Sequence, residues 1–179
     1  LKKLNVEIIK PSINKCFSDF KAIDGKIFYG LGAIKNVGLE AISNIVNERE
    51  NNGRFKSLID FIYRVNVKDI NKLQLEGLIK AGVFDEFDKD RSKILNSVPK
   101  IIQKIKNLNI DKENHQTNLF NDQENEKYEF DFEASSPWSQ KELLLEEFKS
   151  IGFYLTNHPL NEFEEIFTQL NIDSFRQFY

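Results

Sequence analysis

Gly30-Leu31-Gly32-Ala33-Ile34-Lys35-Asn36-Val37-Gly38-Leu39-Glu40-Ala41-Ile42 decides the reading of this chain. From Ile34 to Gly38, followed by Ala41, it fits a turn of the type apolar, any residue, Gly, apolar, Gly that joins two short helices, the helix-hairpin-helix pattern. Asn36 stands where the first Gly is expected, and Asn enters the left-handed backbone region more easily than other non-Gly residues. Such a turn leaves backbone N–H groups around Val37, Gly38 and Leu39 unpaired at the start of a helix, where the dipole also favours an anion. A DNA phosphate suits that position, with Lys35 adding positive charge. Because backbone donors read no base edge, the binding they imply is independent of sequence. The candidate DNA-backbone contacts are therefore Lys35, Asn36, Val37, Gly38 and Leu39, and a valine at position 38 is expected to strain the turn and block the phosphate. The competing reading is a plain turn with no ligand. Two other glycine motifs fail: a dinucleotide fingerprint needs a third Gly where Lys35 stands, and a phosphate-binding P-loop needs Gly-Lys followed by Ser or Thr.

Working outward, Val6-Glu7-Ile8-Ile9 and Lys26-Ile27-Phe28-Tyr29 are short β-branched or aromatic runs bounded by Pro11, Gly25 and Gly30, and read as strands. From Gly38 onward Leu39, Ile42, Ile45 and Val46 recur at helical spacing until Asn51-Asn52-Gly53. Ser57 can cap a second helix bearing Leu58, Phe61, Ile62 and Val65. A third runs through Leu73, Leu75, Leu78 and Ile79 to Ala81-Gly82. A weaker second hairpin is expected between Ser57 and Phe84. A fourth helix, broken or kinked near Pro99, covers Arg91 to Asn107. Between Asn109 and Ser136 acids and amides dominate and periodicity fails, as in a solvated linker. A helical pattern returns in Leu143, Leu144, Leu145, Phe148 and Ile151 and stops at Gly152. His158-Pro159-Leu160 reads as a turn, before a last helix with Phe163, Ile166, Phe167 and Leu170.

The fold class expected is mainly α: a tandem helix-hairpin-helix unit preceded by short strands and followed by a polar linker and further helices. At 179 residues and 40% hydrophobic content the chain can form one or two small domains. It carries one cysteine, Cys16, and two histidines, His115 and His158, which exclude a disulfide framework and cannot build a structural zinc site without acidic ligands. That points to a reducing, cytoplasmic compartment. No stretch approaches the roughly 20 apolar residues that span a bilayer, and no membrane partner is expected. The chain starts at Leu1, contains no Met, and ends on Ser174-Phe175-Arg176-Gln177-Phe178-Tyr179, which reads as a piece of something longer. The net charge of −3 divides unevenly: +2 over residues 1–25, +5 over 26–110 and −10 over 111–179. A polyanion is expected to approach the first two-thirds of the chain and not the last.

Inside the polar linker lies Gln116-Thr117-Asn118-Leu119-Phe120. Two adjacent bulky apolar residues have nothing to pack against within such a segment, so they are exposed or offered to another protein. An extended peptide can insert a Leu and a Phe into an apolar pocket while a Gln amide sets its orientation. Gln116, Leu119 and Phe120 match the Gln-any-any-Leu-Phe pattern of bacterial sliding-clamp ligands.

Taken together, these residues resemble the C-family of bacterial replicative DNA polymerases, the DNA polymerase III alpha subunits, in the region after the fingers domain. Pro11-Ser12-Ile13-Asn14 with Phe20 is similar to the end of the fingers, and Phe28 to Gly38 to the start of the helix-hairpin-helix region. Leu78-Ile79-Lys80-Ala81-Gly82-Val83-Phe84-Asp85 is similar to its later helix, and Gln116 to Phe120 falls where the family carries its internal clamp-binding motif. Ile151-Gly152-Phe153-Tyr154-Leu155-Thr156-Asn157-His158-Pro159-Leu160 resembles the approach to the OB-fold. The resemblance implies a division into residues 1–27 (end of fingers), 28–107 (tandem helix-hairpin-helix), 108–137 (linker with clamp motif) and 138–179 (helical segment leading to the OB-fold). It implies DNA-directed DNA polymerase activity for the complete chain, with Mg²⁺ held by catalytic aspartates upstream of Leu1. This segment itself is expected to have no catalytic residue, no metal site and no cofactor. Asp131-Phe132-Glu133 is read as solvated and His158 as a turn or packing residue. The partners implied are duplex DNA, the sliding clamp and, through missing regions, other replicase subunits. The alternatives are a helix-hairpin-helix accessory protein of DNA repair or recombination, and a helical adaptor that binds no DNA.

Overall fold

The computed structural model describes residues 6–113 and 130–170, with no account of the side chains of 111–113. The chain opens with three short strands, β1 (Glu7–Ile9), β2 (Lys21–Ile23) and β3 (Lys26–Phe28), in the order β1-β3-β2, β1 running parallel and β2 antiparallel to β3. Strand β2 was not expected. It follows from Asp24-Gly25, whose backbones both take positive φ (50° and 72°) and so close the two-residue hairpin that matches strand twist. The expected boundary at residue 27 falls inside β3, so the sheet crosses it.

Seven α-helices follow among the described residues: α1 (Leu39–Asn52), α2 (Leu58–Arg64), α3 (Lys72–Lys80), α4 (Arg91–Asn96), α5 (Val98–Glu113), α6 (Gln140–Ile151) and α7 (Glu164–Gln169). Their ends obey local chemistry. Gly53 leaves α1 at φ 82°, the Ser57 hydroxyl accepts from the Asp60 N–H at 3.0 Å, and Gly152 closes α6 in the left-handed region at φ 90°. The expected helix over 91–107 is two helices, because Pro99 cannot continue a hydrogen-bonded ladder but fits a first turn.

Helix α3 lies at the centre. Leu75 and Leu78 are fully buried and Ile79 nearly so, and α4, α5 and α6 all pack on it. Beside it Phe55, Phe61 and Phe84 form an edge-to-face stack with ring centroids 5.3 and 4.9 Å apart. Polar side chains stitch the first residues into this core. Asn14 donates to the Phe55 carbonyl (2.8 Å), accepts the Phe55 N–H (2.9 Å) and pairs with Glu86. Arg49 reaches in from α1 to the carbonyls of Ile13 and Cys16 at 2.7 and 2.6 Å. Burial pushes the Cys16 thiol above its ordinary pKa, as expected of an inert core sulfhydryl.

The described residues at either end of the expected linker belong to the fold. Helix α5 continues to Glu113, and Asn109 is buried within it, its amide donating to the Ile105 carbonyl at 2.8 Å. Residues 130–136 run extended along α4 and α5: Phe130 and Phe132 pack on the core, the Glu133 N–H donates to Ser97 Oγ at 2.8 Å, and Ser92 Oγ reaches the Ser136 carbonyl at 2.8 Å. Asp131 is solvated as expected, but Glu133 pairs with Lys100 at 2.6 Å, so the two carboxylates flank a lysine. At the other end α7 forms, yet Phe163, Ile166 and Leu170 stay exposed. His158 caps a 3-10 turn, its Nδ1 accepting the Leu160 N–H at 3.2 Å, and meets Tyr154 edge-on. Among the described residues no helix is long and apolar enough to cross a membrane.

Phe61 touches both neighbouring rings and has no exposed surface, so Phe61→Ala should cost about 3–5 kcal/mol of stability. Urea unfolding monitored by circular dichroism should show a lower midpoint at unchanged slope.

Candidate nucleic-acid interface

The hairpin differs from the sequence expectation on its N-terminal side. Its first element is a single 3-10 turn, Leu31–Ala33, and not a helix of several turns. Asn36 does occupy the left-handed region, at φ 67°, as its place in the motif requires. The Val37 N–H is not free: it donates to the Ile34 carbonyl at 3.1 Å and closes the turn. The Lys35 N–H is also taken, by the Ser150 carbonyl at the end of α6 (2.9 Å). The open donors lie one step later. Gly38 is the N-cap of α1 and has no side chain to cap it, and no described residue accepts from the N–H groups of Gly38, Leu39, Glu40 or Ala41.

Lys35, Asn36, Gly38 and Leu39 are exposed around this helix start, while Val37 turns inward as an anchor at 9% exposure. Lys35 makes no ion pair with a described residue, leaving its ammonium available to an anion. Glu40 is the counterweight: an acid in the first turn suits the helix dipole and opposes an approaching phosphate. The arrangement can hold one anionic group against backbone N–H donors, with a mobile cation beside it and no reading of bases.

Residues that the sequence reading did not single out hold the hairpin in place. A Cβ on Gly77 of α3 would sit 2.7 Å from the Lys35 carbonyl oxygen, so only glycine lets the hairpin backbone approach the helix this closely. A glycine in mid-helix, between Leu75 and Leu78, was a visible mark of such an approach. From the other side α6 supplies the Ser150 carbonyl, and α6 is tied to α3 by the Lys80–Glu146 pair at 3.1 Å. Burial works to raise the Glu146 pKa, but hydrogen bonds from Lys149 and Lys80 outweigh it and hold the carboxyl below its ordinary range.

The second hairpin, α2-turn-α3, is present but spends its own donors. The Lys68 N–H donates to Asn66 Oδ1 (2.9 Å), the Asp69 N–H to the Asn66 carbonyl (3.0 Å) and the Val67 N–H to Asn109 Oδ1 (3.4 Å). The start of α3 is closed by a capping box between Asn71 and Gln74. The tandem therefore presents one open helix N-terminus and one sealed one. Gln116, Leu119 and Phe120 lie outside the described residues. Among the described residues no three or more His, Cys, Asp or Glu side chains converge as a metal would need.

The family model described as "Helix-hairpin-helix motif" matches residues 5–94, about half of the chain, and the chain belongs to that family. The match begins before the sheet, in keeping with the sheet and hairpins sharing one core. The chain is also similar to DNA polymerase III alpha subunits from several bacteria. It is 35% identical to that of Borreliella burgdorferi over 177 residues, 96% of this chain and 15% of the relative. It is 34% identical to that of Caulobacter vibrioides over 168 residues, 90% of this chain and 14% of the relative. With that of Rickettsia prowazekii it shares 35% identity over 181 aligned positions, 100% of this chain and 15% of the relative. The chain thus spans about one-seventh of the length of the curated relatives it matches.

Gly38 has φ −80° and ψ 136°, extended backbone open to any residue, and a Cβ there would lie 3.5 Å from Gln74 Nε2 in ordinary contact. The expectation that valine strains this turn is therefore corrected. Gly38→Val should fold with an unchanged melting temperature and still bind duplex DNA several-fold more weakly, because its methyls crowd the anion site. Equal binding in gel-shift titrations would remove the hairpin from the interface.

Proposed function

We propose that this chain is the part of a bacterial replicative DNA polymerase alpha subunit that grips the sugar-phosphate backbone of duplex DNA and tethers the polymerase to its sliding clamp. The observation that carries the first half is the uncapped start of α1 at Gly38, with exposed Lys35 beside it, in a chain about 35% identical to DNA polymerase III alpha subunits over nearly all its length. Backbone donors and one lysine hold a phosphate whatever the base, which suits an enzyme that must pass over every sequence. The full polypeptide would carry out template-directed synthesis in the cytoplasm with Mg²⁺ at carboxylates outside this segment.

The second half rests on Gln116, Leu119 and Phe120. A single non-specific DNA contact is weak, on the order of 10⁻⁴ to 10⁻⁶ M. A tether to a ring that encircles the same duplex turns rebinding into an intramolecular event, so two weak contacts act as one strong one. The acidic balance of residues 111–179, −10, suits this division of labour, because it keeps the tether off the DNA.

Both halves can be measured separately. Replacing Gln116, Leu119 and Phe120 together by Ala should abolish binding to purified bacterial sliding clamp in surface plasmon resonance and leave duplex binding intact. Wild-type protein that ignores the clamp would end the tether reading. For the DNA contact, Lys35→Ala should weaken duplex binding and make the slope of log K against log salt shallower by about one unit. A slope unchanged by the substitution would place Lys35 away from phosphate.

A further inference from the structure

Gln74, on α3, lies across from the hairpin and faces the anion site of α1. Its side chain is oriented by the capping box: Oε1 accepts the Asn71 N–H at 2.8 Å, while the Gln74 N–H donates to Asn71 Oδ1 at 3.0 Å. With the oxygen pinned, the amide nitrogen must point the other way, and it does so toward Gly38, where a Cβ would be 3.5 Å from Nε2. No described residue accepts a hydrogen bond from Nε2. Gln74 is half-buried, and the cap sets the orientation of its side chain.

We propose that Gln74 Nε2 is a side-chain donor to the DNA phosphate seated at the start of α1, so that the second hairpin serves the first. This rests on the reading of that helix start as the DNA contact. The capping box that closes α3 to ligands of its own fixes an amide donor over its neighbour's open N-terminus. The phosphate then lies between backbone N–H groups of α1 on one side and the Gln74 amide on the other, with Lys35 at the rim. A donor on a separate, central helix restricts where along the hairpin the phosphate can sit, which one flexible lysine cannot do.

The capping box also supplies the test, because Glu serves as well as Gln at that position of the motif. Gln74→Glu keeps the acceptor for the Asn71 N–H and replaces the free donor by a negatively charged acceptor. Using the full chain and a fluorescent duplex, Gln74→Glu should lower affinity by about tenfold or more, as expected for losing a hydrogen bond to a charged group, with an unchanged melting temperature. Gln74→Met, which removes the donor without adding charge, should lose affinity in the same direction and keep the wild-type salt slope, since no cation is removed. Glu76→Gln and Leu73→Glu, which alter charge elsewhere on α3, calibrate the general electrostatic effect. If Gly38→Val weakens binding while Gln74→Glu and Gln74→Met bind like wild type, the role of Gln74 is overturned and the hairpin contact stands. The role is also overturned if Gln74→Glu loses no more than Leu73→Glu. Failure of the wild type to bind duplex at low salt overturns both.

Discussion

The hairpin backbone rests on α3 at Gly77, where even one methyl group would lie 2.7 Å from the Lys35 carbonyl oxygen. The rest of the architecture follows from that approach. It lets Ile34 and Val37 sink into the core, brings the Lys35 N–H within 2.9 Å of the Ser150 carbonyl, and turns the start of α1 outward. It also brings Gln74, one turn earlier on α3, up to Gly38. A short turn with only a 3-10 turn before it has little stability of its own. Here three elements hold it, and the open N–H groups stand on a rigid support.

The support is expensive to build, since it buries charged and amide groups that cost free energy unless satisfied. Arg49, Arg91, Asn14 and Glu147 are all inside. Arg91 donates to both Asp85 oxygens (2.8 and 2.6 Å) and to the Lys80 carbonyl (2.9 Å), and Glu147 accepts the N–H groups of Leu155 and Thr156 at 2.7 and 2.9 Å and pairs with the Thr156 hydroxyl. No buried side-chain nitrogen or oxygen among the described residues lacks a partner. These groups tie in the loop after the first strand, the turn after α3 and the segment after α6. The result is a single core in which the sheet, both hairpins and α6 share partners.

The two hairpins of the tandem differ in what they do with the same backbone groups. One begins its helix on Gly38, which has no side chain to cap with and leaves its donors open; the other begins on Asn71, which forms a capping box. In this chain that difference of one residue type leaves one helix start open and seals the other. The charge distribution along the chain is likewise uneven, +5 over residues 26–110, which hold the open hairpin, and −10 over residues 111–179.

The sequence by itself determined most of the helix limits and the left-handed turn at Asn36, because these depend on nearest neighbours. Gly53, Ser57, Pro99 and Gly152 mark ends through φ restrictions and capping, and Asn36 signals its left-handed backbone without help from the fold. The Asp24-Gly25 turn is equally local and marks the strand β2. The Gln-any-any-Leu-Phe motif is likewise a property of five adjacent residues, and its structure lies outside those described. What only tertiary structure decided were the pairings between residues far apart in the chain. Local periodicity cannot tell that Asn109 is buried by its bonds to residues near 65, that Phe130 and Phe132 fold back on the core, or that the Lys35 N–H is taken by the Ser150 carbonyl. Burial and hydrogen-bond partnership are set by which surfaces meet, and that meeting is fixed by the packing of α3 against everything around it.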